Sequence, residues 1–332
     1  MRFLLKLIGF AIVAAIVVGG AILAWGHVQI RRVAPPLPEL EEILEPDRAA
    51  SLPVRLSWIN TASQRMPRSG VLDPEHDPDP DAEYTMSHAS FVVEWQDGRI
   101  FLIDMGMNAA DATAFGEMSM LIGADPIVPH TATSSKLGED RNRVAGIGFT
   151  HMHVDHTSGL LDLCRDLDAR GMGAGTIPVF QNHYQLARVN HTTRPAKIQL
   201  EDAKCIERRS LGREGGLRAI PDFPGLFAIT AGGHTPGSTV WVVQLRTVPG
   251  ESDGRYDDVQ TWVITGDVVN HVAGIEAGVS KPPLYSLLVV PEDDDRLGEV
   301  RGFLKRLSDE PGVELLVSHD RNQIESTALP AH

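Results

Sequence analysis

Three histidines and one aspartate fall inside the segment Thr150-His151-Met152-His153-Val154-Asp155-His156. Imidazole and carboxylate are the ligands zinc takes where thiolate is absent, and manganese and iron accept them as well. In an extended segment His151 and His153 point the same way, because side chains alternate along a strand. A turn into a following helix then swings Asp155 and His156 towards a neighbouring point. One short segment can therefore serve two metal ions. Two cations sharing a carboxylate turn water into a nucleophile at neutral pH, so neither a serine nor a cysteine nucleophile is required. The competing reading is a surface histidine cluster with no ligand role.

These residues need a strand before them and a helix after. Residues 144–149 form a short apolar run of strand type, and residues 157–167 carry helical spacing. Residues 90–95 and 99–103 read as a hairpin around Gln96-Asp97-Gly98. Further strands are expected at 176–180, 226–230, 240–245, 261–265 and 313–317. Residues 293–307 read as a helix with Leu297, Val300, Phe303, Leu304 and Leu307 on one stripe. Many short strands with a few helices imply a layered α/β fold.

The histidine segment resembles the hallmark His-x-His-x-Asp-His of the metallo-β-lactamase-fold hydrolases. The resemblance runs from about residue 90 to 320: Gly233-His234-Thr235-Pro236-Gly237, then Gly266-Asp267 after a strand, then Ser318-His319-Asp320 after the last strand. It implies a four-layer αβ/βα sandwich and a dinuclear zinc site. His151, His153 and His234 would hold one metal, Asp155, His156 and His319 the other, and Asp267 would bridge them. Asp155 would also act in catalysis, orienting the hydroxide or shuttling its proton. Asp104, Asn270 and His271 are candidates to support the ligands; His88, His183 and His191 read as ordinary histidines. Common dizinc β-lactamases carry Cys where this chain has Asp267. With only a short tail after His319, the chain is most similar to the acyl-homoserine-lactonase-like branch. That branch often places Tyr where Asn270 stands, and Tyr285 is a substitute from elsewhere. The implied activity is cleavage of an ester, lactone or thioester. The alternatives are a non-catalytic metal-binding member or a phosphodiester or thioester hydrolase of another branch.

Residues 7–25 are uncharged and mostly Ile, Val, Ala, Leu and Gly, which gives a helix of roughly 28 Å, close to the hydrocarbon thickness. Arg2 and Lys6 precede it, and Arg31 and Arg32 follow. The apolar stretch is longer than a cleaved signal requires, so residues 1–32 read as an uncleaved transmembrane signal anchor. The slim charge balance places the amino terminus inside and the catalytic domain on the extracytoplasmic side. Residues 33–84 read as a Pro- and acid-rich linker and solvated loop, and residues 85–332 as the catalytic domain. Residues 284–290 are an apolar run, expected as a buried strand, with an acyl groove as the alternative. Cys164 and Cys205 read as two buried thiols, with one disulfide as the alternative in an oxidising compartment.

The 332 residues carry 30 Lys plus Arg against 44 Asp plus Glu, a net charge of −14. Such a chain repels phosphate backbones, which disfavours a nucleic-acid partner. The expected partners are a small amphipathic acyl substrate and the membrane; a homodimer is compatible with the sequence.

Overall fold

The computed structural model describes residues 2–31, 33–48, 51–121, 123–169, 171, 177–246 and 259–332. Arg32 and Thr176, assigned above to the anchor and to a strand, lie outside them. Twelve strands are described: β1 Pro53–Pro67, β2 Glu83–Trp95, β3 Ile100–Ile103, β4 Val128–Pro129, β5 Val144–Gly148, β6 Ile177–Gln181, β7 Ile206–Ser210, β8 Leu217–Ala219, β9 Leu226–Thr230, β10 Thr239–Arg246, β11 Val259–Ile264 and β12 Val313–Leu316. They build a seven-stranded sheet, β4-β1-β2-β3-β5-β6-β7, and a five-stranded sheet, β12-β11-β10-β9-β8.

Period-two alternation divides the core into layers. Phe91, Val93, Phe101 and Ile103 face Trp241, Val243, Ile264 and Leu316 across the gap between the sheets. Their neighbours Val92 and Leu102 face outward and pack with Leu160, Leu163, Ala196 and Leu200, from the helices Gly159–Asp168 and Arg194–Asp202. On the second sheet Val240, Val242, Val263 and Leu315 meet Leu297, Val300, Phe303 and Leu304 of the helix Asp294–Ser308. The result is the four-layer αβ/βα sandwich that the sequence led us to expect.

The helix Arg2–Ile30 precedes it, with an apolar stretch from Phe3 long enough to cross a membrane and no burial within that stretch. Its last turn is different: Gly26, Gln29 and Ile30 are buried against the domain.

Three expectations are corrected. The described residues of 33–67 are not an extended linker, whereas residues 71–82 form the irregular, mostly exposed loop expected there. Ile43, on the short helix Leu40–Leu44, is fully buried in the core beneath the second sheet, and Gln244 Nε2 donates to the Ile43 and Glu45 carbonyls at 3.0 Å each. β1 pairs along most of its length with β2, and within the acidic stretch Asp77 is buried on Arg68. Residues 284–290 are not a buried strand: Tyr285–Val289 forms a π-helical turn with Leu287, Leu288 and Val289 in the open. Cys164 and Cys205 are not free thiols but a disulfide, with Cα atoms 5.1 Å apart.

Candidate metal centre

The site gathers at the ends of the strands where the two sheets meet. β5 delivers Thr150 and His151, and the turn into the helix Val154–Thr157 brings Asp155 and His156 round. His234 comes from the turn between β9 and β10, Asp267 from the turn after β11, and His319 from the turn after β12. Gly266 makes the Asp267 turn: its φ is +56°, and a Cβ there would lie 2.7 Å from Thr150 Cβ.

The structure brings together all seven residues named from the sequence. They form two sets, His151/His153/His234 and Asp155/His156/Asp267/His319, with the donor atoms of each set within 4.8 Å of one another. In the first, His151 Nε2 lies 3.0 Å from His153 Nδ1, and His234 Nε2 lies 3.2 Å from both. In the second, His156 Nε2 and His319 Nε2 are 3.3 Å apart, and Asp155 Oδ2 is 3.3 Å from His319 Nε2. Asp267 faces both sets. Its Oδ2 is 3.0 Å from His319 Nε2 and 3.5 Å from His234 Nε2, while Oδ1 is 3.3 Å from His156 Nε2.

Each histidine has its other nitrogen held, which fixes ring and tautomer as metal-ligating histidines require. Thr150 Oγ1 lies 3.1 Å from His151 Nδ1, and Thr192 Oγ1 lies 3.0 Å from His153 Nε2. Asp104 Oδ2 accepts from His156 Nδ1 at 2.8 Å, the Ser87 carbonyl from His319 Nδ1 at 2.6 Å, and Glu292 Oε1 from His234 Nδ1 at 2.5 Å. Asp104 also accepts from Thr150 N and Oγ1, at 2.7 Å each, with its own φ at +61°. An aspartate tolerates that left-handed conformation better than most residues.

Burial penalises charge here, and the neighbours shift the members of the cluster in opposite directions. Desolvation, then repulsion from neighbouring histidines, pushes His151 far down and His153 to about 3. Against the same desolvation, Asp267 and Asp155 hold His319 up at about 9, and Asp104, Asp155 and Asp267 hold His156 high. Asp155 and Asp267 stay ionised in turn, burial being outweighed by the facing histidines. Nitrogen and carboxylate donors converging without thiolate suit two divalent cations. Asp267 Oδ1 is buried and accepts no hydrogen bond, a free lone pair at the seam between the sets.

Several functional neighbours escaped the sequence reading. Glu292, 58 residues from its partner His234, also accepts from Lys281 Nζ at 2.7 Å and Ser286 Oγ at 2.6 Å. His88 is fully buried; its Nδ1 lies 3.5 Å from Asp155 Oδ2 and its ring meets His319 edge-on at 4.9 Å. Of the expected supports, Asp104 holds His156, as described. The Asn270 carbonyl lies 2.7 Å from the Tyr84 hydroxyl, which is also 2.9 Å from the carbonyl of His319. His271 turns away from the ligands, with Nε2 3.1 Å from Arg68 Nη1. His183 and His191 lie outside both ligand sets. Tyr285 remains a neutral phenol, through desolvation first and then the charges of Glu292, Asp267 and Asp155.

A family model described as the metallo-beta-lactamase superfamily matches residues 84–289. Among solved structures, the fold is similar to an N-acyl homoserine lactone hydrolase holding its product N-hexanoyl-L-homoserine at the catalytic metal centre. The TM-score is 0.56 at 16% identity, over 84% of this chain and 98% of that one. It is also similar to a quorum-quenching N-acyl homoserine lactone lactonase, with a TM-score of 0.55 at 15% identity over 84% and 97%. A third is a dizinc quorum-quenching lactonase with a TM-score of 0.50 at 15% identity over 82% and 91%. No curated protein matches the chain.

Proposed function

The chain belongs to the metallo-β-lactamase superfamily, and from that premise we propose that it is a membrane-anchored dinuclear zinc hydrolase of esters, lactones or thioesters. The carrying observation is Asp267, whose two oxygens face two adjoining ligand sets. His151, His153 and His234 would hold one cation, Asp155, His156 and His319 the other, with Asp267 between them. Two cations so held would supply Lewis acidity at the scissile carbonyl and would lower the pKa of water towards neutrality. Asp155, kept ionised against its burial by His156 and His319, orients the attacking water and accepts its proton. Tyr285, kept as a phenol, donates a hydrogen bond to the substrate oxygen. Lactonase neighbours support the lactone or ester bond as substrate. The helix Arg2–Ile30 serves as the anchor, with the catalytic domain on the extracytoplasmic side.

Elemental analysis of the metal-supplemented full chain in detergent is expected to give close to two metals per chain. The same preparation should turn over members of a panel of lactones, esters and thioesters. Asp267→Asn keeps the side-chain volume and removes the shared charge. It is expected to lower metal content and cut turnover by several orders of magnitude, with a native far-ultraviolet circular dichroism spectrum. His183→Ala is the control. An Asp267→Asn variant with unchanged rate and metal content sinks the ligand assignment. Turnover of phosphodiesters alone would move the chain to another branch, and full metal content with no turnover of anything would make it a binding member.

A further inference from the structure

The turn that follows Lys281 has two faces of opposite character. Leu284, Leu287, Leu288 and Val289 are each more than half exposed, a concentration of open apolar side chains on one short segment. Soluble surfaces seldom leave such a group uncovered without a partner. The other face belongs to the metal centre. Ser286 is buried and donates to Glu292, which accepts from His234. The Tyr285 ring lies 5.6 Å from Lys281 Nζ.

The same turn meets the apolar amino-terminal helix. Leu287 O lies 3.2 Å from His27 Nε2. Gly26 approaches Pro291 so closely that a Cβ would come within 2.7 Å of its ring. Trp25, exposed, stands at that end of the helix. From Phe3 to Trp25 the helix rises roughly 34 Å, the thickness of a hydrocarbon core with a small tilt. Trp25 then falls at the membrane interface, where tryptophan is enriched. A segment bonded to His27 lies within about one helical turn of that plane.

We propose that residues 284–289 seat in the bilayer interface beside the helix, and that the metal centre takes its substrate from the lipid side. The substrate class is an ester, lactone or thioester whose acyl chain lies in the membrane. Lipid is the occupant because the segment carrying the patch borders the end of the exposed apolar helix, through the Leu287 carbonyl at His27 and Pro291 at Gly26. The inference rests on the anchored-hydrolase reading above.

The test uses the full chain in phosphatidylcholine nanodiscs. Cys164 and Cys205 are joined, so an added cysteine is the labelling site. A polarity-sensitive fluorophore on Leu288→Cys is expected to shift to the blue and to be quenched roughly two-fold by doxyl-labelled lipid, as an interfacial side chain would be. Val17→Cys, within the helix, is the inserted reference, and Leu121→Cys, exposed on the catalytic domain, the aqueous one. Quenching at Val17 but not at Leu288 overturns the seat and leaves the anchor standing. A blue shift at Leu288 without lipid quenching overturns it too, since a protein surface then covers the patch. No quenching at Val17 removes the anchor, and the seat with it. For the substrate, Leu287→Ser/Leu288→Ser is expected to lose about ten-fold in rate on a vesicle-borne long-chain ester and nothing on a short soluble ester. Equal loss on both, or on neither, overturns delivery from the lipid. If the unaltered chain hydrolyses neither ester, the hydrolase reading and lipid-side delivery fail together, and quenching decides the seat by itself.

Discussion

Glu292 shows what a single side chain does beyond the ligand sphere. It is buried, and Lys281 and His234 hold its carboxylate ionised against that burial, at about 2. An anion on His234 Nδ1 raises the basicity of Nε2, the nitrogen that faces His151 and His153. Glu292→Gln keeps the shape and removes the charge. It is expected to weaken one of the two metal sites about 10- to 100-fold and leave the other near its original affinity. Chelator competition checks this, the two metals leaving in separate steps from the variant. Loss of both metals together, or no change, counts against the assignment. The seven residues that cluster were legible because four of them sit in one segment and the other three stand in recognisable turns. Glu292 was not, because an acid far along the chain carries no local spacing that ties it to His234.

Among the elements, the strands built on short apolar runs were legible, whereas β1, with its buried polar groups, the two-residue β4 and the largely exposed β7 and β8 were not. β1 buries Thr61 and Gln64, which break an apolar pattern; inside the fold Thr61 Oγ1 donates to the His88 carbonyl at 2.9 Å and Gln64 Nε2 to the Asp125 carbonyl at 2.8 Å. Residues 284–290 misled in the opposite sense, since an apolar run reads as buried whatever covers it. The acidic stretch after Pro67 misled through its charge. Asp77 takes both Arg68 Nη2 at 2.6 Å and Nε at 2.9 Å, and its carboxylate is fully buried. The Arg68 hydrogen bond depresses the Asp77 pKa in the folded chain. A depressed carboxylate contributes stability that is complete above the unfolded value, about 3.9, and is lost as pH falls through the folded one. Asp77→Asn is therefore expected to cost about 3 kcal/mol at neutral pH, by leaving buried Arg68 without its carboxylate. The gap between variant and parent should close as pH drops below 4. Denaturant midpoints measured across that range check it; a gap that widens in acid contradicts the pairing as the source of stability.

On the scale of the whole molecule, the anchored reading proposed above requires the helix, the domain and the disulfide to agree on one side of the membrane. The helix end and residues 33–47 are built into the domain, so the apolar helix and the metallo-β-lactamase fold are joined, with Arg296 Nη2 donating to the Pro35 carbonyl at 2.7 Å. Cys164, on the helix Gly159–Asp168, and Cys205, just before β7, close a loop with a sequence separation of 41. A crosslink of that span stabilises by about 4 kcal/mol in the chain-entropy account. Such bonds persist in oxidising compartments and are reduced in the cytosol of most cells. Arg2, Lys6 and the amino terminus slightly outweigh Arg31 and Arg32, a slim balance that favours the amino terminus inside. Both lines support the proposed placement of the domain outside the cytoplasmic membrane. Protease added to spheroplasts of a bacterial host making the full chain is expected to digest the domain and leave a short amino-terminal fragment. Alkylation of the denatured, unreduced chain is expected to find no free thiol, and two after reduction. A protected domain carrying two alkylated cysteines reverses the orientation. The extracytoplasmic leaflet would then no longer be the one on which residues 284–289 rest, and lipid delivery to the metal centre would have to come from the cytoplasmic side.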